Sequence, residues 1–506
     1  MISREEYRDK VRGCWFGKCL AGAVGMPYEG VPFTVELSED KLELANVPND
    51  DLELQLVWLE AVERFGTALT AKNLGEIWLK RIPSGCDEYS IALYNMKRGV
   101  MPPASGYLNN FFCDGMGATI RSEIWALLYA GRPDAAGHFA CFDAEVDHHG
   151  DGVRGEEFMA YAEAHAVEFS DTEKALRFAL SKMPETSRIY RQLKEVFDMY
   201  DNNVSDKEAR NHLLLNYQTT PNFTDCVMNL MFIVNGLLRG KGDFIKTIFD
   251  IVSYGRDTDC TAATAGAFLG CVYGMKAFPE KYLGAVENKL ALSSFVSDIP
   301  GVPLTLDALT EKTVELHEKL LHSLPEEKYP VYTPYQPVAG ELPQLWKSSF
   351  LILDNDRHDV AAAKRAMAET GKVPPEYAKF IREFDTPYLD LSEYGKVRRL
   401  SLLAAVDASE LTIPPEQLVF MAAADVGLRV FLDDVRILNN HSRHKMVPAF
   451  HRVQGGAAFN LPLERGKKLR VLHVELFHYE APAKACVMFG NTANDLCDEI
   501  KFTAKM

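Results

Sequence analysis

The chain has 506 residues, of which 47% are hydrophobic, and its formal net charge is −16 at pH 7. This length predicts two domains with a large buried interior. The negative charge argues against a general nucleic-acid binder or an acidic-membrane binder, because both need a basic face.

The charged N-terminus lacks the apolar core of a signal peptide, and no later segment is apolar over the length of a membrane span. Ten cysteines are scattered without metal-type spacing, which favours reduced thiols over disulfides or zinc ligands. We therefore expect a cytoplasmic protein.

The first predicted helix, over residues 11–30, is rich in Gly and Ala and leads to a turn at Met26 and Pro27. Glu29 follows the turn, as an exposed loop acid or as a site residue. Asn49, Asp50 and Asp51 then precede an apolar-rich helix, and Asn49 is a natural N-cap for it. Helices are predicted over 52–66, 73–80 and 89–97.

The segment 101–110 is rich in Pro, Ser, Gly and Asn, which predicts a surface loop near a ligand mouth. A helix is predicted to open at Phe111–Gly117, where the amides of a glycine-rich start could hold an anion. Asp114 either bonds to a sugar hydroxyl or caps this helix. Further helices are predicted over 156–167, within 172–214 and over 227–238.

Asp257 and Asp259 lead into a run of very small side chains that ends near Ala267. Small residues at helical spacing let backbones approach, so this helix is predicted to be central and tightly packed. The two acids could cap the helix, since carboxylates suit its N-terminus. Alternatively, they meet Asp50 and Asp51 around a cation, because clustered carboxylates cannot otherwise stay ionised at low cost. Oxygen ligands favour magnesium or manganese over zinc.

Five motifs occur in the order seen in the ADP-ribosylglycohydrolase family, which the chain resembles over roughly residues 10–280. The resemblance implies an all-α fold and a dinuclear magnesium or manganese centre. It also implies hydrolysis of the glycosidic bond at the anomeric carbon of a ribose. The motifs are 13–18 continuing to 25–30, Asn49–Asp51, Gly115–Arg121, Asp147–His148 and Gly255–Asp259.

The resemblance also implies roles for particular residues. Glu29 matches the family's glutamate beside the metals and is the first candidate for acid/base work, with Asp51 second. His148 is expected to shape the pocket or bind substrate. A metal pair would grip two vicinal hydroxyls of a furanose and orient water at the anomeric carbon. The expected metal ligands are Asn49, Asp50, Asp51, Asp257 and Asp259, and the expected substrate-binding residues are Asp114, Gly115, Met116, Gly117 and His148.

Several positions depart from the family pattern. Gly22-Ala23 stands where an Asp is frequent, and Asn49 replaces a Thr with another oxygen donor. Met116 replaces an Asn, which weakens the case for unmodified ADP-ribose. Cys260 replaces a Thr or Ser and is a poor ligand for a hard ion.

Five prolines in or beside residues 324–343 predict a linker between a catalytic domain, 1–323, and an accessory domain, 344–506. Short helices are predicted over 360–369 and 375–384. A β-sandwich follows, with Asp433-Asp434 as a tight hairpin turn. Its predicted strands are 398–406, 417–421, 428–432, 435–438 and 469–477.

The stretch Ala424–Asp433 resembles the protective-antigen-type sandwich found beside glycosidases and adhesins. This resemblance implies a carbohydrate-facing accessory domain. A purely structural sandwich is the alternative.

Three functions follow from these observations. The first is metal-dependent hydrolysis at the anomeric carbon of an ADP-ribosyl or related ribosyl group. The second is hydrolysis of another glycoside or nucleoside by the same metal site. The third is non-catalytic binding of a sugar or ADP-ribose. The presence of Glu29, Asp50, Asp51, Asp257 and Asp259 argues against this third function. The expected partners are a small-molecule glycoside or an ADP-ribosylated substrate, and neither nucleic acid nor membrane.

Overall fold

A computed structural model gives the architecture of the chain. It describes residues 2–42, 44, 48–218, 222–286, 288–324, 329–395, 398–441, 446–450, 457–459, 461, 463, 470–477 and 483–505. The chain divides into two compact units, one of residues 1–83 and 101–337 and the other of residues 84–100 and 338–506. Part of the predicted linker, at 325–328, and residue 469 of a predicted strand lie outside the described residues.

The first unit is all-α, which confirms the predicted class of the N-terminal region. Most predicted helices are present, although their ends differ by a few residues. The helices of this unit are α1 (Arg4–Gly25), α2 (Asp50–Phe65), α3 (Ala71–Arg81), α5 (Ala104–Tyr107), α6 (Glu123–Leu128), α7 (Pro133–Ala144), α8 (Asp151–Phe169), α9 (Thr172–Lys182), α10 (Arg188–Asp201), α11 (Asp206–Tyr217), α12 (Cys226–Gly240), α13 (Phe244–Val252), α14 (Thr258–Tyr273) and α15 (Leu306–Leu321). Helix α4 (Asp87–Lys97) belongs to the second unit.

Helices α1 and α14 pack backbone against backbone along their small residues. A Cβ placed on Gly17 would lie 2.2 Å from the carbonyl oxygen of Gly266, and one on Gly25 would lie 2.1 Å from that of Thr258. No side chain fits at such distances, so both positions require glycine. The prediction of a central, tightly packed helix after Asp259 is therefore confirmed, and α1 is its partner.

The helix predicted to open at Phe111–Gly117 is wrong. This stretch forms turns, and α6 begins only at Glu123, after a short 3-10 turn. The backbone of Gly115 instead forms a β-bridge with Asp225, and the carbonyl of Asp114 accepts a hydrogen bond from the amide of Cys226 at 3.0 Å. Contacts with a distant segment thus replace the helical hydrogen bonds.

The second unit consists mainly of antiparallel strands in two sheets, as predicted for the C-terminal region. One sheet has the order β2-β1-β4-β9-β6-β7, with β12 also paired to β4. The other has the order β11-β10-β5-β8, with β3 paired to β10. The strands are β1 (Ser348–Asp354), β2 (Ile381–Phe384), β3 (Tyr388–Asp390), β4 (Arg399–Asp407), β5 (Leu418–Ala424), β6 (Gly427–Leu432), β7 (Val435–Asn440), β8 (Ala457–Phe459), β9 (Arg470–Phe477), β10 (Lys484–Asn491), β11 (Leu496–Cys497) and β12 (Lys501–Thr503).

The two sheets enclose one apolar core, to which both contribute alternate residues such as Leu402 and Phe420. Asp433 and Asp434 have φ angles of 46° and 66°, as a two-residue hairpin turn between β6 and β7 requires. The predicted helix over 375–384 is only partly right, because a 3-10 helix ends at Phe380 and β2 follows it. The resemblance to the protective-antigen-type sandwich stays a prediction.

Two helices complete the second unit, α4 and α16 (Val360–Thr370). Tyr94 of α4 and Arg98, the C-cap residue of this helix, both contact the Asp498 carboxylate, at 3.0 and 2.8 Å. Helix α4 therefore packs with the strands of the second unit, although in the sequence it lies among the helices of the first unit. Within the described part of the chain, no helix combines the length and the apolarity that crossing a membrane needs.

Candidate active site

Glu29 follows the 3-10 turn that ends α1, and its backbone is tied to the segment that carries Asp257. The amide of Gly30 donates to the carbonyl of Arg256 at 2.8 Å, and the amide of Arg256 donates to the carbonyl of Val31 at 2.8 Å. The Glu29 side chain is exposed, and its charge acts on Asp257. The structure thus brings together two predicted site residues that are far apart in sequence.

The start of α2 supplies a second group of oxygen atoms. Asn49 is the N-cap, as predicted, and its Oδ1 accepts a hydrogen bond from the amide of Asp51 at 2.7 Å. The Asp51 side chain is fully buried, and neither of its carboxylate oxygens has a hydrogen-bond partner. Asp50 lies beside it and is half-buried.

The start of α14 supplies the third group. Asp257 occupies the N-cap position, but its side chain makes no capping hydrogen bond, so capping does not explain this acid. Asp257 and Asp259 are buried, and each has one carboxylate oxygen without a hydrogen-bond partner. One ligand atom each of Asp257, Asp259 and Cys260 lie within 4.8 Å of one another.

Burial and neighbouring negative charges disfavour ionisation of Asp51 and Asp257. Burial raises the pKa of Asp257 well above its usual range, and the charges of Asp259 and Glu29 raise it further. Burial also raises the pKa of Asp51 strongly, and Lys18 offsets only part of this effect. Acidic groups whose oxygens lack partners in a buried site are costly unless a cation neutralises them.

The residues present fit a hard divalent cation. The donors are carboxylate oxygens with an amide oxygen nearby, which is the chemistry that magnesium and manganese prefer. The oxygens without hydrogen-bond partners belong to Asp51, Asp257 and Asp259, which come from two helix starts. Cys260 is the exception to this oxygen set, because its thiol suits a softer ion.

A buried ion pair lies behind Asp51, and the sequence analysis missed it. The Lys18 ammonium lies 2.6 Å from Glu123 Oε1, and Gln55 Nε2 donates to Glu123 Oε2 and to the carbonyl of Asp51, both at 2.8 Å. Lys18 and Glu123 are almost fully buried. A lysine within the Gly- and Ala-rich stretch of α1 was the only signal in the sequence.

The predicted substrate-binding residues lie in the turns before α6 and in the loop between α7 and α8. Gly115, Gly117 and Met116 are buried, and the Met116 side chain is only 1% exposed. The Asp114 side chain is 41% exposed, so it is the member of this group most open to a ligand. His148 is buried, and its Nε2 accepts a hydrogen bond from the amide of Ala118 at 3.2 Å.

Arg188, the first residue of α10, is a further residue that the sequence analysis missed. Its guanidinium is 2.6 Å from Asp225, 3.7 Å from Asp151 and 3.9 Å from Asp114. Burial and the charge of Asp225 raise the pKa of Asp114 to about 6, although Arg188 lowers it. Asp225 also caps α12 through the amide of Met228 at 2.8 Å. Helix α10 therefore borders residues 114–118, which contain four of the predicted substrate-binding residues and are called the predicted substrate loop.

One comparison with known proteins identifies a family over the N-terminal region. A family model described as ADP-ribosylglycohydrolase matches residues 3–316, more than half of the chain. Among solved structures, a chain of an "ADP-ribosylglycohydrolase-related protein complex" is 17% identical with a TM-score of 0.43, over 62% of this chain and 99% of that one. A chain of an "anti-sigma factor domain-containing protein" is 18% identical with a TM-score of 0.19, over 34% of this chain and 52% of that one. No curated protein matches the chain.

Proposed function

Because the chain belongs to the ADP-ribosylglycohydrolase family, we propose that it is a metal-dependent glycosyl hydrolase. The bond cleaved is the one at the anomeric carbon of an ADP-ribosyl or related ribosyl group. The observation that carries this proposal is the convergence of buried carboxylates at the starts of α2 and α14. Both carboxylate oxygens of Asp51 and one each of Asp257 and Asp259 lack hydrogen-bond partners, which supports a role as cation ligands.

In this proposal, two Mg²⁺ or Mn²⁺ ions are held at the helix starts. When bound, they supply Lewis acidity toward ribose hydroxyls and toward the attacking water. The close backbone packing of α1 on α14 fixes the positions of Asp257 and Asp259 before the ions bind. The ligands are Asn49, Asp50, Asp51, Asp257 and Asp259.

Glu29 is the proposed proton carrier. It is exposed, while its charge still acts on Asp257, so it can exchange a proton with water or with the leaving-group oxygen. Asp51 is the second candidate, but its complete burial suits a ligand better than a proton carrier. The half-exposed Asp114 is the proposed acceptor of hydrogen bonds from sugar hydroxyls.

The test is hydrolysis of a panel of arginine-linked ADP-ribose, aryl ribosides and nucleosides with Mg²⁺, Mn²⁺ or a chelator. We expect turnover of a ribosyl substrate that requires metal and is lost in Asp257→Asn. Asp201→Asn is the matched control, because Asp201 forms an exposed pair with Arg177 and contacts no site residue. Metal-independent turnover, or full activity of Asp257→Asn, would refute the proposal.

A second candidate is hydrolysis of another glycoside or nucleoside by the same residues. The replacement of the usual Asn by Met116 favours it, because the buried Met116 side chain offers no amide to a ligand. Cleavage of aryl ribosides or nucleosides without cleavage of ADP-ribosyl substrates would select it. Metal binding without turnover of any substrate would favour a non-catalytic binding protein.

A further inference from the structure

The peptide group between Gly117 and Ala118, in the predicted substrate loop, forms hydrogen bonds to side chains through both its carbonyl oxygen and its amide. The carbonyl oxygen of Gly117 accepts a hydrogen bond from Arg121 Nη1 at 2.9 Å. The amide of the next residue, Ala118, donates to His148 Nε2 at 3.2 Å. These two atoms belong to the same peptide unit. Its orientation is therefore fixed by two buried side chains.

Asp147 contacts both of these side chains, so that Arg121, Asp147 and His148 form a closed circuit of contacts around the peptide group. Its Oδ1 lies 2.6 Å from Arg121 Nη2 and 2.8 Å from His148 Nδ1, and its Oδ2 lies 3.0 Å from Arg121 Nη1. Arg121 and Asp147 are 0% exposed and His148 is 1% exposed. Interactions among such fully desolvated groups are strong, and each group is costly to leave without its partner.

The circuit determines the tautomer of His148. The amide of Ala118 can only donate, so Nε2 must carry a lone pair. The proton of the neutral ring then lies on Nδ1, which is 2.8 Å from Oδ1 of Asp147. Nε2 is thereby engaged with the backbone of the loop, and Nδ1 lies within ion-pair distance of a carboxylate.

Glycine at position 117 makes this restraint necessary. A glycine-rich loop can populate several backbone conformations, and fixing one residue costs about 1–2 kcal/mol of conformational entropy. Two hydrogen bonds to one peptide unit oppose a flip of that unit. The loop is therefore ordered before a ligand arrives, which lowers the entropic cost of binding.

We propose that Arg121, Asp147 and His148 are positioning residues, which lock the Gly117–Ala118 peptide and present the loop to substrate. His148 then acts on the substrate only through the loop. This inference rests on the proposed function for its link to substrate, whereas the tautomer and the order of the loop are properties of the protein alone.

The first test is nitrogen NMR of the histidine side chains, with His148 assigned by its loss in His148→Leu. If that variant does not fold, His148→Gln serves for the assignment. We expect a protonated Nδ1 and an unprotonated Nε2 at neutral pH. A protonated Nε2 would overturn the proposal.

The second test is hydrogen–deuterium exchange of residues 114–118, followed by mass spectrometry. In His148→Leu we expect exchange to be at least tenfold faster. The matched control is Trp125→Phe, which removes the 2.7 Å hydrogen bond from Trp125 Nε1 to Asp143 Oδ2. Asp143 also pairs with Arg121, but Trp125 forms no part of the circuit. Equal exchange in the two variants would overturn the proposal.

The third test separates positioning from general structural support. In His148→Leu we expect KM for the hydrolysed substrate to rise about tenfold, while kcat and metal affinity stay unchanged, because an ordering cost falls on binding. An unchanged KM in an active variant would refute the inference but not the hydrolase function. If the wild type neither binds metal nor turns over any substrate, the proposed hydrolase function is refuted. The NMR and exchange experiments still test the tautomer of His148 and the order of the loop in that case.

Discussion

The Lys18 ammonium lies 2.6 Å from Glu123 Oε1 in a part of the fold where both side chains are almost completely buried. Burial alone would lower the pKa of Lys18, but the charges of Glu123 and Asp51 raise it above its ordinary value. Lys18 is therefore a fixed positive charge behind the candidate metal ligands. It neutralises Glu123 and reduces the negative potential at Asp51.

Removal of this charge should destabilise the protein. Lys18→Met leaves Glu123 buried without a countercharge, which costs about 3–5 kcal/mol of unfolding free energy. Denaturant unfolding measures this loss, and the double variant Lys18→Met/Glu123→Gln should recover much of it. Lys312→Met is the control, because its exposed pair with Glu63 contributes at most about 1 kcal/mol. Equal losses in Lys18→Met and Lys312→Met would contradict the prediction.

Asp51→Asn should act in opposite directions on stability and on metal binding. The pKa of Asp51 is raised by burial, so the folded state binds more protons than the unfolded state over the pH range between the two pKa values. Stability of the metal-free protein therefore falls as pH rises through that range.

The Asn variant should remove this pH-dependent loss. We expect it to be about 1 kcal/mol more stable than the wild type at pH 7 without metal. Calorimetric titration should show at least tenfold weaker binding of Mg²⁺ or Mn²⁺. A metal-free variant that is less stable and binds metal normally would show that Asp51 has only a structural role.

Metal binding should release protons. Carboxyl groups with raised pKa values, such as Asp51 and Asp257, must be ionised to bind a cation. Calorimetry in buffers of different ionisation enthalpy should therefore give a positive number of released protons, which decreases as pH rises. The same apparent binding enthalpy in every buffer would indicate that the ligands are already ionised.

Substrate affinity should depend on pH through Asp114. Its folded-state pKa of about 6 lies above the ordinary value of 3.8, so the carboxylate form is complete only above this range. We expect KM to fall as pH rises through about 6, because the ionised group is the better acceptor for sugar hydroxyls. This step should be absent in Asp114→Asn, and its persistence there would assign it to another group.

Gly25→Ala should disturb the candidate metal centre through the backbone. The added Cβ would lie 2.1 Å from the carbonyl oxygen of Thr258, between Asp257 and Asp259. We expect a loss of about 1–3 kcal/mol of stability and weaker metal binding, because α14 must move. Gly284→Ala is the control, since its Cβ would meet nothing within 4 Å. Thermal unfolding and metal titration of both variants test this.

Local sequence patterns indicated much of the helical unit. Asn49 caps α2 as predicted, because capping depends on a few neighbouring residues. The same local signals placed β4, β5, β6, β7 and β9, where apolar residues and turn residues mark the ends. Strands β1 and β10 escaped notice, because buried apolar runs without alternation are ambiguous between strand and helix.

Most elements, and the acids that stand at helix starts, can be inferred from the sequence alone, since these properties depend on neighbours along the chain. The three-dimensional structure was needed to show which acids are buried together, because burial and charge coupling depend on the packing of distant segments. It showed that Asp257 does not cap α14, and it placed Lys18 behind Asp51 and Arg188 beside Asp114. It also replaced the helix predicted at Phe111–Gly117 by a turn, because the backbone around Gly115 bonds to the start of α12.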